Sequence, residues 1–309
     1  MLDLTFLTED QVRGDNKLDI LKKYGIDSKI TDLASLTGVD YQDYDEDVFG
    51  DWWTKSLDSI EDNKIKFISS FHPFDPFDLY VFNKDIDDYS CGIRPAFKYS
   101  SIKSICSDKV REVSGIKEIE YGEYPQRAVD DNFSLKLEEL YNEDKLNETG
   151  KKYTMYFFEN YLDVLPEDIK RIYIEYEYEG RKYIRFMSEE NIIDEYLADG
   201  RLIQEKQPYW VKVEPITWLV DEKADIALSK YIILSGILFD DNKSHKSSFE
   251  DTFIKKFMDT YLAKEIEWSV KKEELIENKS FDFDSIFEDA IKKMNEINDL
   301  ENPKTKILK

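Results

Sequence analysis

The residues best suited to catalysis or metal binding are scarce in this chain. Two histidines, His72 and His245, and two cysteines, Cys91 and Cys106, stand among 309 residues. A structural zinc site draws four such ligands from short, regular spacings. Here the cysteines lie far outside a Cys-x-x-Cys spacing and the histidines are remote from each other, so no metal site is expected. A Cys91–His72 nucleophilic pair is compatible with the sequence, but nothing marks either thiol as activated. No Gly-x-Ser-x-Gly turn, Walker A loop or Gly-x-Gly-x-x-Gly segment occurs. The expectation is therefore binding without catalysis, with no catalytic residue and no cofactor.

Carboxylates are plentiful. The segment DYQDYDEDVFGD (40–51) carries Asp40, Asp43, Asp45, Glu46, Asp47 and Asp51 and no basic residue. A calcium loop of the helix–loop–helix kind needs Gly at its sixth position and Glu at its twelfth. Asp45 and Asp51 stand there instead, so a solvated acidic loop is expected. Over the whole chain, 43 basic residues face 67 acidic ones, a net charge of −24. Such a surface repels phosphate, which argues against direct nucleic-acid binding. It serves solubility, or it attracts a basic partner by imitating nucleic acid.

Aromatic residues gather in FISSFHPFDPFDLYVFN (67–83), where two prolines break any strand or helix period. Two readings stand side by side. In one, Phe67, Phe71, Phe74, Phe77 and Phe82 pack beneath a sheet. In the other, Phe71, His72, Phe74, Asp75, Phe77, Asp78, Tyr80 and Asn83 face a ligand, since aromatic and small polar side chains on a rigid frame make adaptable binding surfaces. Trp52 and Trp53 are suited to anchor the edge of a core. Pro95 holds Arg94 extended, from where it reaches a carboxylate or stacks on a ring.

The elements that must position these residues are partly legible. Helical pieces are expected over 8–25, with Thr8 as cap, a break at Gly14 and closure at Gly25, and over 27–38, capped by Asp27 or Ser28. Residues 116–130 alternate like a strand and then reach a turn at Gly122–Pro125. Phe133, Leu137, Leu140 and Tyr141 have helical spacing behind an Asp131 or Asn132 cap. The segment 171–187 reads as a hairpin turning at Glu179–Gly180, and 209–233 as a strand pair with Pro215 at an edge or bulge. Helices are expected over 248–268, capped by Ser248, and over 281–300. The first dozen residues lack a secretory pattern, and no apolar run approaches the roughly 20 residues of a membrane span. With two thiols, the chain reads as cytoplasmic.

Several stretches resemble an uncharacterised family of low-GC Gram-positive bacteria and their phages. They are LTEDQVRGDNKLDILKKYG (7–25), ITDLASLTG (30–38), DWWTKS (51–56), GIRPAFKYSSI (92–102), EYGEYPQ (120–126), GRLIQEKQPYWVKVEPITWLVDEKADIALSKYII (200–233) and FIKKFMDTYLAKEI (253–266). The pairing of WWTKS with GIRPAF is similar to the closing part of C-type-lectin-like domains. That resemblance implies a Trp-rich strand and a Gly-x-Arg-Pro segment framing a display region between Lys55 and Gly92.

The resulting expectation is an α+β fold with mainly antiparallel sheet, a C-type-lectin-like N-terminal half and C-terminal helices. Its parts would be a display domain (1–105), an α+β domain (106–268) and a terminal helix and tail (269–309). The expected function is recognition of a protein partner through the aromatic face, with Trp52, Trp53 and Arg94 contributing. The alternative is an acidic, phage-type inhibitor of a nucleic-acid-handling defence enzyme, a nucleic-acid mimic that fills a basic groove through residues 40–51.

Overall fold

The computed structural model describes residues 2–25, 28–44, 47–59, 63–70, 81–106, 109–146, 153–154, 174–188, 195–240, 248–267 and 269–270. The fold is α+β with mainly antiparallel sheet, and strands outweigh helices. In chain order the described elements are α1 (Glu9–Arg13), α2 (Asp19–Tyr24), α3 (Asp32–Leu36), β1 (Tyr41–Tyr44), β2 (Asp47–Gly50), β3 (Trp52–Ser59), β4 (Lys64–Ile68), β5 (Val81–Asp85), β6 (Ala96–Lys98), β7 (Val110–Val113), β8 (Ile116–Ala128), α4 (Asp131–Leu146), β9 (Tyr153–Thr154), β10 (Ile174–Tyr178), β11 (Arg181–Met187), β12 (Pro208–Asp221), β13 (Ile226–Ser229) and α5 (Phe253–Phe257).

The large sheet is organised on β12. Along one edge β12 pairs with β8. Along the other it pairs with β11 over its first half and β13 over its second. β10 and β9 extend the sheet beyond β11, β6 extends it beyond β13, and β7 pairs with β8. The β10–β11 hairpin turns at Glu179 (φ 50°) and Gly180 (φ 73°), the left-handed pair that a two-residue hairpin favours. α4 covers this region, where Leu137 and Tyr141 pack on Tyr183 and Trp210.

Three expectations about local structure are corrected. β8 runs unbroken from Ile116 to Ala128, with no turn at Gly122–Pro125. Gly122 takes φ 69° and the pairing with β12 shifts register between Pro215 and Thr217, so the irregularity is absorbed as a bulge. A Cβ on Gly122 would also lie 2.3 Å from Ile266 Cγ2 and 2.9 Å from its carbonyl oxygen. Residues 41–44 and 47–50, expected as part of an acidic loop, pair as the antiparallel strands β1 and β2. The helix expected over 248–268 is present over 253–267 with one π-helical turn at Met258–Leu262, but it starts behind Thr252, and Ser248 leads a separate 3-10 turn at Phe249–Asp251. The helix expected over 281–300 lies outside the described residues.

Helix starts follow capping chemistry with small displacements. Thr8 and Gln11 form a capping box on α1. α3 starts behind Thr31, not Asp27 or Ser28, because Ile30 is drawn into a bridge with Ile232. The amide of Phe133 in α4 donates to Asp130, one residue before the expected cap. α2 has no cap of its own. Instead Asp221, from the end of β12, accepts from the amides of Asp19 (2.7 Å) and Ile20 (3.3 Å).

Met1–Trp268 forms one compact unit, and Ser269–Lys309 a second. The boundary expected at residue 105 thus runs through the first unit. β6 pairs with β13, Thr5 bridges Ala96, and Ile93 bridges Leu234. The core shared across that boundary includes Leu21, Ile30, Trp52, Ala96, Leu219 and Leu228. Among the described residues no helix is long and apolar enough to cross a membrane.

Candidate functional site

The two motifs WWTKS and GIRPAF meet in the core. Trp52 bridges Gly92 in parallel, the Trp53 amide donates to the Gly92 carbonyl (3.2 Å), and the Gly92 amide donates to the Asp51 carbonyl (2.8 Å). Glycine is required at 92 by this approach, since a Cβ there would stand 2.2 Å from Ile232 Cγ2. Trp52, Trp53 and Arg94 are each 0% exposed. The Arg94 guanidinium carbon lies 5.0 Å from the Trp52 ring centroid and Nε donates to the Ser229 carbonyl (3.1 Å). Trp53 packs edge-on to Phe239. These three residues therefore form a foundation with no surface of their own, and the aromatic alternative expected for Arg94 is the one the geometry shows.

From this foundation β3 continues into the antiparallel sheet β3–β4–β5. Phe67 on β4 is buried, while its cross-strand neighbour Phe82 on β5 is 45% exposed, with the two ring centroids 6.2 Å apart. Asn83 and Asp85 are also exposed, and among the described residues β5 is the edge strand of this sheet opposite β3. Of the expected aromatic face, Phe71, His72, Phe74, Asp75, Phe77, Asp78 and Tyr80 lie outside the described residues, as do Asp45 and Glu46 of the acidic segment. Asp43 and Asp47 lie on β1 and β2.

Of the acidic segment, Asp51 is buried and Asp40 is exposed, and both have partners within the fold. Asp51 is buried and accepts from the amide (2.7 Å) and hydroxyl (2.9 Å) of Ser70. Burial pushes its pKa up against the pull of those two hydrogen bonds. Asp40 pairs with Lys84, and the Ser90 hydroxyl joins the same cluster. Burial opposes the charge on Lys84, but the surroundings of Cys91, Asp40 and Asp88 outweigh it and hold the ammonium above its ordinary pKa. Cys91 itself is fully buried and desolvation holds it as a thiol, so it is not an activated nucleophile. Among the described residues no group of three or more His, Cys, Asp or Glu side chains is placed to hold a metal ion.

A second feature had no sequence motif. Where β8 and β12 shift register, a cleft of about 400 Å³ opens, lined by Lys29, Thr31, Glu120, Gln126, Arg127, Glu214, Pro215, Thr217 and Tyr231 with Ile30, Val48 and Ala198. Gln126, 7% exposed and the extra residue at the first register shift, spends its amide protons on the β12 carbonyls of Glu214 (2.9 Å) and Pro215 (2.8 Å). Arg127 forks onto Glu214 (2.8 and 3.0 Å). Beside the cleft, Asp32 accepts from the amides of Ala128 (2.6 Å) and Ala198 (2.7 Å). Burial raises its pKa to about 6 despite those bonds. The one legible sign near this cleft was Pro215 within a strand pattern, which lies where β12 is unpaired on its other side, while the extra residues at both register shifts belong to β8. The partner strand and the loop around Ala198 come from distant sequence.

No family model, curated protein or solved structure matches the chain.

Proposed function

We propose that this protein is a non-catalytic interaction protein that recognises a protein partner through edge strand β5 of the β3–β4–β5 sheet. The observation that carries this reading is Phe82, 45% exposed on β5, in the cross-strand row that runs through buried Phe67 to fully buried Trp53. A large aromatic side chain held on a rigid strand loses little entropy on binding and is a typical anchor of interfaces. An edge strand also offers backbone groups for pairing with a partner strand. The two cysteines are free and buried, which supports a reducing, cytoplasmic setting.

The test is affinity capture from lysate with the full chain and with Phe82→Ser, washed at low and high salt, with circular dichroism confirming that the variant folds. A partner retained at high salt by the parent and lost by the variant supports the reading. A partner captured equally by both overturns it. The second reading, an acidic inhibitor of a nucleic-acid-handling enzyme, is favoured by the net charge of −24. Its signature is a basic partner insensitive to Phe82→Ser and released by salt. Asp51 gives it little support, because it is buried and bonded to Ser70, and the exposed Asp40 is already paired with Lys84.

A further inference from the structure

We infer that the cleft between β8 and β12 is a binding site for a small α-amino acid, held by its ammonium and carboxylate groups. The inference rests on the hydrogen-bonding capacity left over in its walls and is independent of the β5 surface. Gln126 has spent both amide protons, so Oε1, which takes no partner among the described residues, can only accept. The hydroxyls of Thr217 and Tyr231 likewise take no hydrogen-bond partner among the described residues, and both residues are half-buried. Glu120 and Glu214 add carboxylates. Each is paired with one arginine, Arg111 at 2.7 Å and Arg127 at 2.8 Å, and each retains lone pairs beyond that pairing.

The lining is thus rich in acceptors. A protonated primary amine is the complementary group, because it brings three donors and no acceptor. A second polarity is present as well. Arg127 uses Nε and one Nη2 proton on Glu214, which leaves Nη1 free to donate to a carboxylate. The arginines already balance the charge of Glu120 and Glu214, and Lys29 adds an ammonium to the lining, so a ligand that carries both an ammonium and a carboxylate fits better than a polycation. About 400 Å³ is room for one amino acid with its side chain. The bulge that builds the cleft is a device that recurs beside binding and catalytic sites.

The test is thermal denaturation and calorimetric titration of the full chain with each free proteinogenic amino acid at about 10 mM, beside its N-acetyl form and a neutral disaccharide. The expected result is a rise in Tm of about 2–5 °C with at least one free amino acid and none with its N-acetyl form. Thr217→Val and Tyr231→Phe each remove one hydroxyl with little change of volume. Both should leave the unliganded Tm within about 1 °C and weaken that amino acid roughly 10-fold or more, as for loss of a hydrogen bond to a charged group. The inference is overturned if no free amino acid binds, if N-acetyl forms bind as well, if only the disaccharide binds, or if both variants bind with parental affinity.

Discussion

Arg94 and Trp52 meet in the interior of the protein, the guanidinium carbon 5.0 Å from the ring centroid and both side chains closed to solvent. Few residues other than arginine suit this place, since the group must lie over an indole and still donate to the Ser229 carbonyl at 3.1 Å. Lysine lacks the plane and the fork. Arg94→Lys is expected to cost roughly 2–4 kcal/mol through lost contact with the ring, lost hydrogen bonding and imperfect filling of the space. Urea denaturation at constant m-value reads this directly. A loss under about 1 kcal/mol would show that the contact contributes little.

Gly92 and Ile232 make a second, sharper test of the same junction. Alanine at 92 brings a Cβ within 2.2 Å of Ile232 Cγ2 and 3.1 Å of the Asp51 carbonyl. Gly92→Ala should destabilise by about 1–3 kcal/mol. Ile232→Ala removes the obstructing methyl, so the double variant should recover part of the loss. A coupling energy of about 1 kcal/mol in the double-mutant cycle is the expected value. Strict additivity would mean that the backbone, and not the methyl, sets the need for glycine.

How much of this was legible beforehand differs between local and distant relationships. Thr8, Gly25 and the Glu179–Gly180 turn act within a few residues of themselves, and the sequence pattern placed them correctly. Pro215 met its edge alternative for a local reason as well, its missing amide proton: it lies on β12 between the stretches paired with β11 and β13. The Asp40–Asp51 segment was read correctly at one end and not at the other. Asp40 is exposed, though tied to Lys84 more than forty residues on, whereas Asp51 is buried and bonded to Ser70. The cleft was invisible because Gln126, Glu214 and Tyr231 meet only through strand register, which no single-residue pattern encodes.

The two cysteines should report on global unfolding. Cys91 is 0% and Cys106 1% exposed, and burial raises both thiols above their ordinary pKa. Neither is therefore a reactive thiolate at neutral pH. A thiol reagent of moderate size should label neither in the native protein within minutes and both in denaturant. Labelling of Cys91 in the native state would mean that the β5 neighbourhood opens locally without unfolding the rest.

Asp32 predicts a pH dependence of stability with a definite sign. Its carboxylate is 3% exposed, and burial raises its pKa from 3.8 to about 6. The amides of Ala128 and Ala198 and the guanidinium of Arg201 work in the opposite direction, and Asp199 adds to the rise. Between those two values the folded state holds a proton that the unfolded state has released, so the contribution of Asp32 falls as pH rises. Ionising the buried group is disfavoured by roughly 3 kcal/mol relative to an exposed aspartate. Glu138 acts with the other sign. Burial opposes its charge, but the Arg185 fork and the Trp210 indole outweigh that and lower its pKa, so its contribution is lost on acidification. The bulk profile mixes both, and the difference between parent and Asp32→Asn isolates the first. The parent-minus-variant stability should fall by up to about 3 kcal/mol between about pH 4 and pH 7. A flat or rising difference would mean that Asp32 is ionised through the whole range, held by its two amides against the cost of burial.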